Sequence, residues 1–291
     1  MVAQILVTLD GTVHDPDVPF LHADDLAALR GDGVFETLLI RSGRTRRVGA
    51  HLDRLERSAE MMDLPKPDRD TWQSAIDVAE KQWQETGGDG EAWLRLVYSR
   101  GRESAPDGDP TAYVMAGAVA DRVNRARADG ISVVTLDRGF STDLAGSARW
   151  QLLGAKTLSY ATNMAALRHA ADEGFDDVIY LSSEGFVLEG PRSTVITVTG
   201  KTLATPPAES GILPGTTQRA VFETAEHEGW TTRTATLRRA DLIAADSVWL
   251  VSSVALAARV TSLNRYVMPV SPNGTDAHEF AELVDRAICV D

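Results

Sequence analysis

The chain has 291 residues, 43% of them hydrophobic and 24% charged, a composition typical of a globular protein with one large domain or two ordinary ones. Its net charge of −13 at pH 7 argues against binding to nucleic acid or to an anionic membrane surface, and no apolar run approaches the roughly 18 residues needed to cross a bilayer. The single cysteine, Cys289, excludes an internal disulfide, and the histidines lack paired spacing, so we expect no catalytic metal.

The first part of the chain, residues 1–122, is predicted to form the smaller of two domains. Apolar periodicity of two residues indicates strands, and a periodicity of three to four indicates helices. In chain order we predict strands over 2–9 and 33–41, helices over 50–63 and about 70–86, a break at GGDG (87–90), and a strand pair from EAWLRLVYSRG and TAYVMAGAV. The N-terminal sequence MVAQILVTLDG lacks the features of a signal peptide and is interpreted as the first strand.

Residues 123–129 have almost no apolar content and are interpreted as an interdomain linker, followed by a larger domain over residues 130–291. Its predicted elements are strands at ISVVTLD, DDVIYLS, STVITVTGKTLATPP, TTRTATL and SVWLVSS, and helices over about 159–173, after ILPGTTQ, and over about 276–289. Strands and helices mix without regular βαβ alternation, so the predicted fold class is α+β.

The sequence LPGTTQ, residues 213–218, has the features of an anion-binding helix start. Backbone N–H groups and the positive end of the helix dipole attract an anion at such a position, and the hydroxyls of Thr216 and Thr217 add hydrogen-bond donors. The alternative is an ordinary N-cap made by one of the two threonines after a Pro-Gly turn.

Lys156 stands in the sequence QLLGAKTLSY, among apolar neighbours. Ammonium groups are rarely buried without a partner, and loss of hydration favours the neutral, nucleophilic amine that can form a Schiff base. The alternative is a lysine at a strand end whose ammonium extends to water. Tyr160, four residues further on, either offers its phenol to a cofactor oxygen or packs as a core tyrosine.

Three further charged residues are candidates for a site. Glu189, in GFVLEGPRSTVITV, is either a buried carboxylate beside a pyridine nitrogen or an exposed turn residue. Arg54 lies off the apolar stripe of the helix predicted over 50–63, where a lone arginine is a solvated partner of a neighbouring acid. Arg95, between two leucines of a predicted strand, either binds a substrate carboxylate or faces solvent.

The order of these segments carries more information than any one of them. The sequences in question are GDGVFET (31–37), HLDRL (51–55), GAKTLSY (154–160), VLEG (187–190), LAT (203–205) and ILPGTT (212–217). In order and spacing the chain resembles the class IV aminotransferases from about residue 30 to residue 255. That family includes branched-chain aminotransferases, D-amino-acid transaminases and aminodeoxychorismate lyases.

The resemblance implies a two-domain, fold type IV enzyme that binds pyridoxal 5'-phosphate, acts on a small amine or amino acid, and works as a homodimer in the cytoplasm. It implies that Lys156 is the catalytic Schiff-base lysine and that Glu189 faces the pyridine nitrogen. The other residues that it implies in cofactor binding are Arg54, Tyr160, Thr216, Thr217 and Ser253. Pocket residues Phe35, Thr37 and Arg95 are the candidates for substrate contact.

The chain also departs from common family patterns. Thr194, Val195 and Ile196 stand where an Asn–aromatic pair often follows the family's glutamate, and the loop after SRG lacks the Arg-x-His pair of D-amino-acid transaminases. The segments VLEGPRST and ILPGTTQ resemble those of the aminodeoxychorismate lyase branch. Conversion of aminodeoxychorismate to 4-aminobenzoate and pyruvate is therefore the expected activity. The alternatives are an aminotransferase for branched-chain L-amino acids or D-amino acids and, from another class, a non-catalytic cofactor-binding protein.

Overall fold

A computed structural model describes residues 4–86, 90–269 and 275–289. Residues 2 and 3 of the predicted first strand, and residues 87–89 of the predicted GGDG break, lie outside the described residues. Within those ranges the chain divides into two compact units. The first contains residues 4–120 together with 155–160, and the second contains residues 121–154 together with 161–289.

The first unit has a sheet with helices on one face. In chain order its elements are β1 (Gln4–Thr8), β2 (Val13–His14), α1 (Leu26–Arg30), β3 (Gly33–Arg41), β4 (Arg44–Thr45), α2 (Val48–Met61), α3 (Arg69–Thr86), β5 (Ala92–Ser99) and β6 (Thr111–Ala118). The strand order is β2-β1-β6-β5-β3-β4, and the pairings along it are antiparallel.

The core of the first unit follows from the two periodicities in the sequence. Alternate residues of β3, among them Val34, Leu38 and Ile40, are almost fully buried and belong to one hydrophobic cluster with Leu55 of α2 and Trp72 of α3. Side chains of a strand alternate between faces, so the residues between these positions point to the other face of the sheet. That second face carries Phe35, and its half-buried polar positions make it a candidate binding surface.

The second unit is built on a longer mixed sheet. Its elements are α4 (Asp121–Asp129), β7 (Ile131–Asp137), α5 (Leu144–Ser147), α6 (Ala161–Asp172), β8 (Asp177–Leu181), β9 (Thr194–Thr199), β10 (Thr202–Thr205), α7 (Thr216–His227), β11 (Thr231–Thr234), α8 (Arg239–Ala244), β12 (Ser247–Ser252), β13 (Leu256–Leu263), β14 (Tyr266–Val267) and α9 (Thr275–Cys289). The order is β11-β10-β9-β12-β13-β7-β8, with β14 on β13. The pairs β10/β11, β13/β7 and β7/β8 are parallel.

The mixed composition of strands and helices confirms the predicted α+β class. Two features differ from the expectation. Residues 123–129, predicted as a linker, lie within the helix α4, whose half-buried residues Val123 and Ala126 are too few to form a clear apolar stripe in the sequence. Residues 155–160, with Lys156, group with the first unit. No helix in the described ranges is long and apolar enough to cross a membrane.

Candidate active site

Arg54 is buried in the first unit and is held by Glu36. The guanidinium donates from Nε to Oε1 and from Nη2 to Oε2 of Glu36, both at 2.7 Å, and His51 Nδ1 lies 2.7 Å from the same Oε2. All three side chains are at least 94% buried. The interpretation of Arg54 as a solvated helix residue is therefore wrong: the neighbouring acids Asp53 and Glu56 pair with other residues instead.

The charges of this cluster determine its protonation. Burial alone would raise the pKa of the Glu36 carboxyl, but the charge of Arg54 and the hydrogen bonds from Arg54 and His51 outweigh it and hold that pKa below its ordinary value. Burial lowers the pKa of His51, and the positive charges of Arg54 and Lys156 act in the same direction. An ionised Glu36 accepts hydrogen bonds only, so the neutral His51 donates from Nδ1.

The segment that carries Lys156 lies along the edge of β3. Phe35 N donates to Lys156 O at 3.0 Å, Leu158 N donates to Gly33 O at 2.8 Å, and Lys156 N donates to Ser58 Oγ of α2 at 3.1 Å. These bonds fix the backbone on both sides of the lysine. The backbone at Lys156 is thus held by pairing with β3 and by one hydrogen bond to α2.

Two glycines of the GDGVFET sequence allow the segment that carries Lys156 to lie close to β3. A Cβ at Gly33 would lie 2.6 Å from Tyr98 O and 2.8 Å from Leu158 Cδ1. A Cβ at Gly31, whose φ is +67°, would lie 2.8 Å from Ser159 Oγ. Real Cβ atoms do not come so close to backbone or side-chain atoms, so glycine is needed where the lysine segment meets β3.

The Lys156 amine and the Tyr160 ring both contact Phe35. Lys156 Nζ lies 4.5 Å from the centroid of the Phe35 ring, within cation–π range. The Tyr160 ring packs edge to face on the same phenylalanine, with the centroids 5.4 Å apart. Lysine, tyrosine and phenylalanine therefore form one cluster in the first unit, which brings together three of the residues singled out from the sequence.

The candidate substrate residues share the second face of the sheet. Thr37 of β3 pairs directly with Arg95 of β5, and Phe35 lies diagonally across from Arg95. The Arg95 guanidinium is 5.9 Å from the Phe35 ring centroid and 5.2 Å from the Trp93 ring centroid. Lys156 and Arg95 thus contact the same ring, an arrangement that places an amine and a guanidinium on one surface.

Arg100 and Arg102, which follow β5 in the chain, have structural partners. Arg100 donates to Asp32 and to the backbone oxygen of Met62, and Arg102 donates to Asp24. Each is part of an ion pair that fixes a loop.

In the second unit, Glu189 stabilises the loop that leads to α7. Its Oε2 accepts the backbone N–H of Leu213 at 3.1 Å, and the residue is half-buried. The alternative of a freely exposed turn residue is wrong, because the carboxylate is engaged by backbone. Anchoring this loop also fixes the start of the helix that follows.

The start of α7 has the donor groups of an anion site. Gly215 is the N-cap and makes no side-chain capping bond, so the alternative that Thr216 or Thr217 is the cap is wrong. Both threonines are 5% exposed, and their hydroxyls lie 3.3 and 3.4 Å from Ser253 Oγ. A Cβ at position 215 would lie 2.5 Å from Thr194 Oγ1, so glycine is required there. Backbone N–H groups and three hydroxyls converge at this helix end.

The donor set of these clusters determines which ligand fits. Across the described residues, no group of three His, Cys, Asp or Glu side chains is arranged to hold a metal ion. The side chains present are a half-buried amine, a phenol, a carboxylate and a helix start rich in hydroxyls. Taken unit by unit, the amine and phenol of the first unit suit an aldehyde and a ring oxygen, and the carboxylate and helix start of the second unit suit a pyridine nitrogen and a phosphate. Pyridoxal phosphate contains all four of these groups.

Comparisons with known proteins define the class and then the family. A hypothetical aminotransferase from Mycobacterium tuberculosis, solved with α-ketoglutarate and PMP bound, is similar with a TM-score of 0.94 and 53% identity over 98% of both chains. A fold IV transaminase from Curtobacterium pusillum is similar with a TM-score of 0.90 and 38% identity over 98% of this chain and 97% of that one. The fold is thus that of the type IV transaminases.

The sequence model of the amino-transferase class IV family matches residues 33–263, and the chain belongs to that family. A bifunctional aminodeoxychorismate lyase / D-amino acid transaminase from Mycobacterium tuberculosis is 52% identical over 99% of this chain and 100% of the relative. Class IV aminotransferases depend on pyridoxal phosphate, so this chain is a pyridoxal-phosphate enzyme. The resemblance noted from the sequence is confirmed.

Sequence reasoning missed Glu36, His51 and Ser58. A signal for Glu36 was present: it occupies an inward position of the alternation that buries Val34 and Leu38. An acid at such a position requires a buried cation, which is Arg54. His51 and Ser58 follow from helical spacing, because they lie three residues before and four residues after Arg54 and share its face.

Proposed function

We propose that this enzyme is an aminodeoxychorismate lyase that also transaminates D-amino acids. The observation that carries the proposal is the shared surface of β3 and β5, where Lys156 Nζ and the Arg95 guanidinium both contact the Phe35 ring. An amine that can move a proton lies there beside a cation that can bind a carboxylate. The 52% identical relative, which carries both activities in its name, supports this pair of reactions over either one alone.

In this proposal, hydroxyl groups, backbone N–H groups, an arginine and a tyrosine bind the cofactor. Thr216, Thr217 and Ser253 bind the phosphate through hydroxyls and the N-terminal N–H groups of α7. Arg54 adds a charge-assisted donor, with its Nε and Nη2 edge turned to Glu36. Tyr160 donates to the ring oxygen.

The remaining cofactor contacts prepare the proton transfer. When bound, pyridoxal phosphate would supply an aldehyde to hold the substrate amine and a ring that withdraws electrons from the carbon bearing it. The Glu189 carboxylate keeps the pyridine nitrogen protonated, which strengthens that withdrawal. Lys156 Nζ then takes the proton from the amine-bearing carbon as general base. Its anchored backbone limits where the amine can reach, so the same nitrogen can return the proton.

The fate of the electron pair separates the two reactions. In the lyase reaction the C–O bond to the enolpyruvyl group breaks, the electron pair of the C–H bond becomes a ring double bond, and the leaving group takes a proton to become pyruvate. The ring is then aromatic, and 4-aminobenzoate is released. In transamination no leaving group departs: Lys156 would return the proton on the cofactor side, and water would then release the keto acid while the amino group stays behind.

Arg95 is the proposed partner of the substrate carboxylate in both reactions. It is on the same face as Thr37, whose hydroxyl is a candidate second contact. D-Amino-acid transamination is favoured as the second activity by the name of the full-length relative, even though the Arg-x-His pair is missing from the loop after SRG. Branched-chain L-amino acids rank below both.

One assay panel tests the proposal. The purified, cofactor-loaded enzyme is given aminodeoxychorismate, and 4-aminobenzoate is measured; separate reactions contain D- or L-amino acids with 2-oxoglutarate. We expect kcat/KM to be highest for aminodeoxychorismate, measurable for D-amino acids and lowest for branched-chain L-amino acids, because discrimination reflects transition-state binding. A tenfold advantage for any amino acid over aminodeoxychorismate would overturn the lyase assignment and leave the aminotransferase.

By resemblance to the family we also propose a homodimer that works in the cytoplasm and supplies 4-aminobenzoate as a folate precursor. Sedimentation should give twice the chain mass of 31.4 kDa. A species at the mass of a single chain, active in the same assay, would contradict the dimer.

A further inference from the structure

We propose that Gly117 and Trp93 form a positioning pair that fixes the orientation of Arg95 and thereby sets the affinity for carboxylate substrates. The inference rests on the proposed role of Arg95 in substrate binding. Trp93 contacts the arginine, and Gly117 lies against the indole of Trp93. Neither Gly117 nor Trp93 is proposed to touch the reacting atoms.

Gly117 allows the Trp93 ring to lie flat on the sheet. The two residues pair directly across β5 and β6, and Gly117 is buried. A Cβ at position 117 would lie 2.7 Å from Cζ2, 3.0 Å from Cε2 and 3.3 Å from Nε1 of the Trp93 indole. The indole therefore occupies the space that a side chain at 117 would fill. A glycine opposite an aromatic residue is a known way to cover exposed backbone in a sheet.

The flat indole supports the guanidinium of Arg95. Trp93 and Arg95 are two residues apart on β5 and thus on the same face, with the guanidinium carbon 5.2 Å from the indole centroid. Phe35, on β3, contacts the same guanidinium: its ring centroid lies 5.9 Å from the guanidinium carbon. Arg95 is exposed, yet the neighbouring rings remove part of its hydration, which lowers the pKa of its guanidinium, while Tyr113 and Tyr160 act in the opposite direction.

Aromatic rings are the contacts that orient this arginine. Within the described residues the Arg95 side chain makes no hydrogen bond and no ion pair, unlike the side chains of Arg54, Arg100 and Arg102. A long, unanchored arginine has many rotamers, and stacking on a ring reduces that freedom while it leaves the N–H groups at the edge of the plane available. The planar fork is then ready to bind a carboxylate with two parallel hydrogen bonds.

The two residues can be tested without replacing Arg95. Gly117→Ala pushes the indole out of its position, and Trp93→Leu removes the ring. Gly90→Ala is the matched control, since nothing lies within 4 Å of a Cβ at that position. Arg95→Gln and the double variant Gly117→Ala/Arg95→Gln complete a double-mutant cycle. Thermal melting of each protein shows that it folds.

We measure kcat and KM for aminodeoxychorismate and D-alanine, and the rate at which hydroxylamine, which has no carboxylate, reacts with the bound cofactor. Gly117→Ala and Trp93→Leu should each raise KM about three- to tenfold, the effect of one lost cation–π contact and its orientation. The hydroxylamine rate and the behaviour of Gly90→Ala should match the wild type. The double variant should be no worse than Arg95→Gln alone, because residues that act through one group are not additive.

A crystal structure of Gly117→Ala provides a readout that is independent of activity. We expect the indole to be displaced and the Arg95 guanidinium to leave its position 5.2 Å from the ring. An unchanged KM in Gly117→Ala, a changed hydroxylamine rate, or an effect that adds fully to Arg95→Gln overturns the positioning role. If Arg95→Gln itself leaves KM unchanged, the substrate-binding role of Arg95 fails instead, and the crystal structure still decides whether Gly117 and Trp93 orient the arginine.

Discussion

Glu36 accepts two hydrogen bonds from Arg54, from Nε and from Nη2, each 2.7 Å long and fully enclosed by the first unit. This fork fixes the guanidinium plane between β3 and α2 and turns one edge of it towards the carboxylate. A lysine at position 54 would offer one point charge and no plane. The pair therefore explains why an arginine proposed to bind phosphate lies in the interior of a domain.

The first prediction concerns the affinity for the cofactor. Replacing Arg54 alone would leave the Glu36 charge buried without a cation, so the test is the double variant Glu36→Gln/Arg54→Met. Losing a charge-assisted contact of about 1.5–3 kcal/mol should weaken pyridoxal phosphate binding roughly ten- to hundredfold, measured by absorbance titration of the apoenzyme.

The matched control for this experiment is Arg57→Ala, an exposed arginine on the same helix three residues further on. It should bind the cofactor like the wild type. Equal affinity in the double variant and the wild type would remove Arg54 from the phosphate site and leave it with a purely structural role.

The second prediction concerns stability in acid. The pKa of Glu36 is lowered from its ordinary 4.5, so the unfolded chain binds this proton more readily, and the stability from the pair is lost as pH falls below about 4.5. His51, lowered from 6.5, adds a loss that begins below about pH 6.5. Denaturant unfolding measured from about pH 2 to pH 8 should show both losses.

Glu36→Gln should lower the unfolding free energy at pH 7 by about 3 kcal/mol, because Arg54 loses its buried partner, and should flatten the fall below pH 4.5. Glu60→Gln, on the exposed side of α2, should keep the wild-type slope. A slope that Glu36→Gln does not change would show that the acid loss has another source.

The third prediction separates two roles of Glu189. Glu189→Gln keeps an oxygen that can accept the Leu213 N–H but removes the charge, and Glu189→Ala removes both. We expect kcat to fall on the order of a hundredfold in both variants, because the electrostatic stabilisation is lost. Cofactor affinity should stay near the wild type in the first and weaken in the second, where the loop before α7 loses its anchor. Equal affinities would contradict the anchoring role.

The fourth prediction concerns the glycine beneath the lysine segment. Gly33→Ala would place a Cβ 2.6 Å from Tyr98 O and 2.8 Å from Leu158 Cδ1. We expect a loss of about 1–3 kcal/mol in stability and faster amide exchange at residues 156–158, measured by mass spectrometry, with Gly90→Ala as the neutral control. Exchange as slow as in the wild type would mean that the pairing with β3 tolerates a side chain.

The sequence predicted β3 to the residue, since its alternation and the Ser42-Gly43 turn are both local signals. It also predicted α3, whose Trp72, Ile76, Ala79 and Trp83 are all buried. It did not reveal that Glu36 is the partner of Arg54. The two residues are 18 positions apart, one on a strand and one on a helix, and the periodicity of an element does not say which of its residues pair with another element.

Other features were beyond the reach of local pattern. The strand β13 was missed, because a run of apolar residues interrupted by serines and an arginine does not distinguish a buried strand from a loop. The role of Gly117 depends on Trp93, the residue opposite it in the sheet. That pairing is determined by the register between β5 and β6, which a local pattern does not give. The order of the family sequences, in contrast, was sufficient to identify the cofactor.

The central claim is that Lys156 carries the cofactor. The other lysines, Lys66, Lys81 and Lys201, are 63–76% exposed, and each pairs with a glutamate. Reduction of the cofactor-loaded enzyme with borohydride, followed by proteolysis and mass spectrometry, should leave one pyridoxyl group on the peptide that contains QLLGAKTLSY, and Lys156→Ala should carry none. A pyridoxyl group on Lys66, Lys81 or Lys201 of the wild-type enzyme would contradict the assignment of the active site.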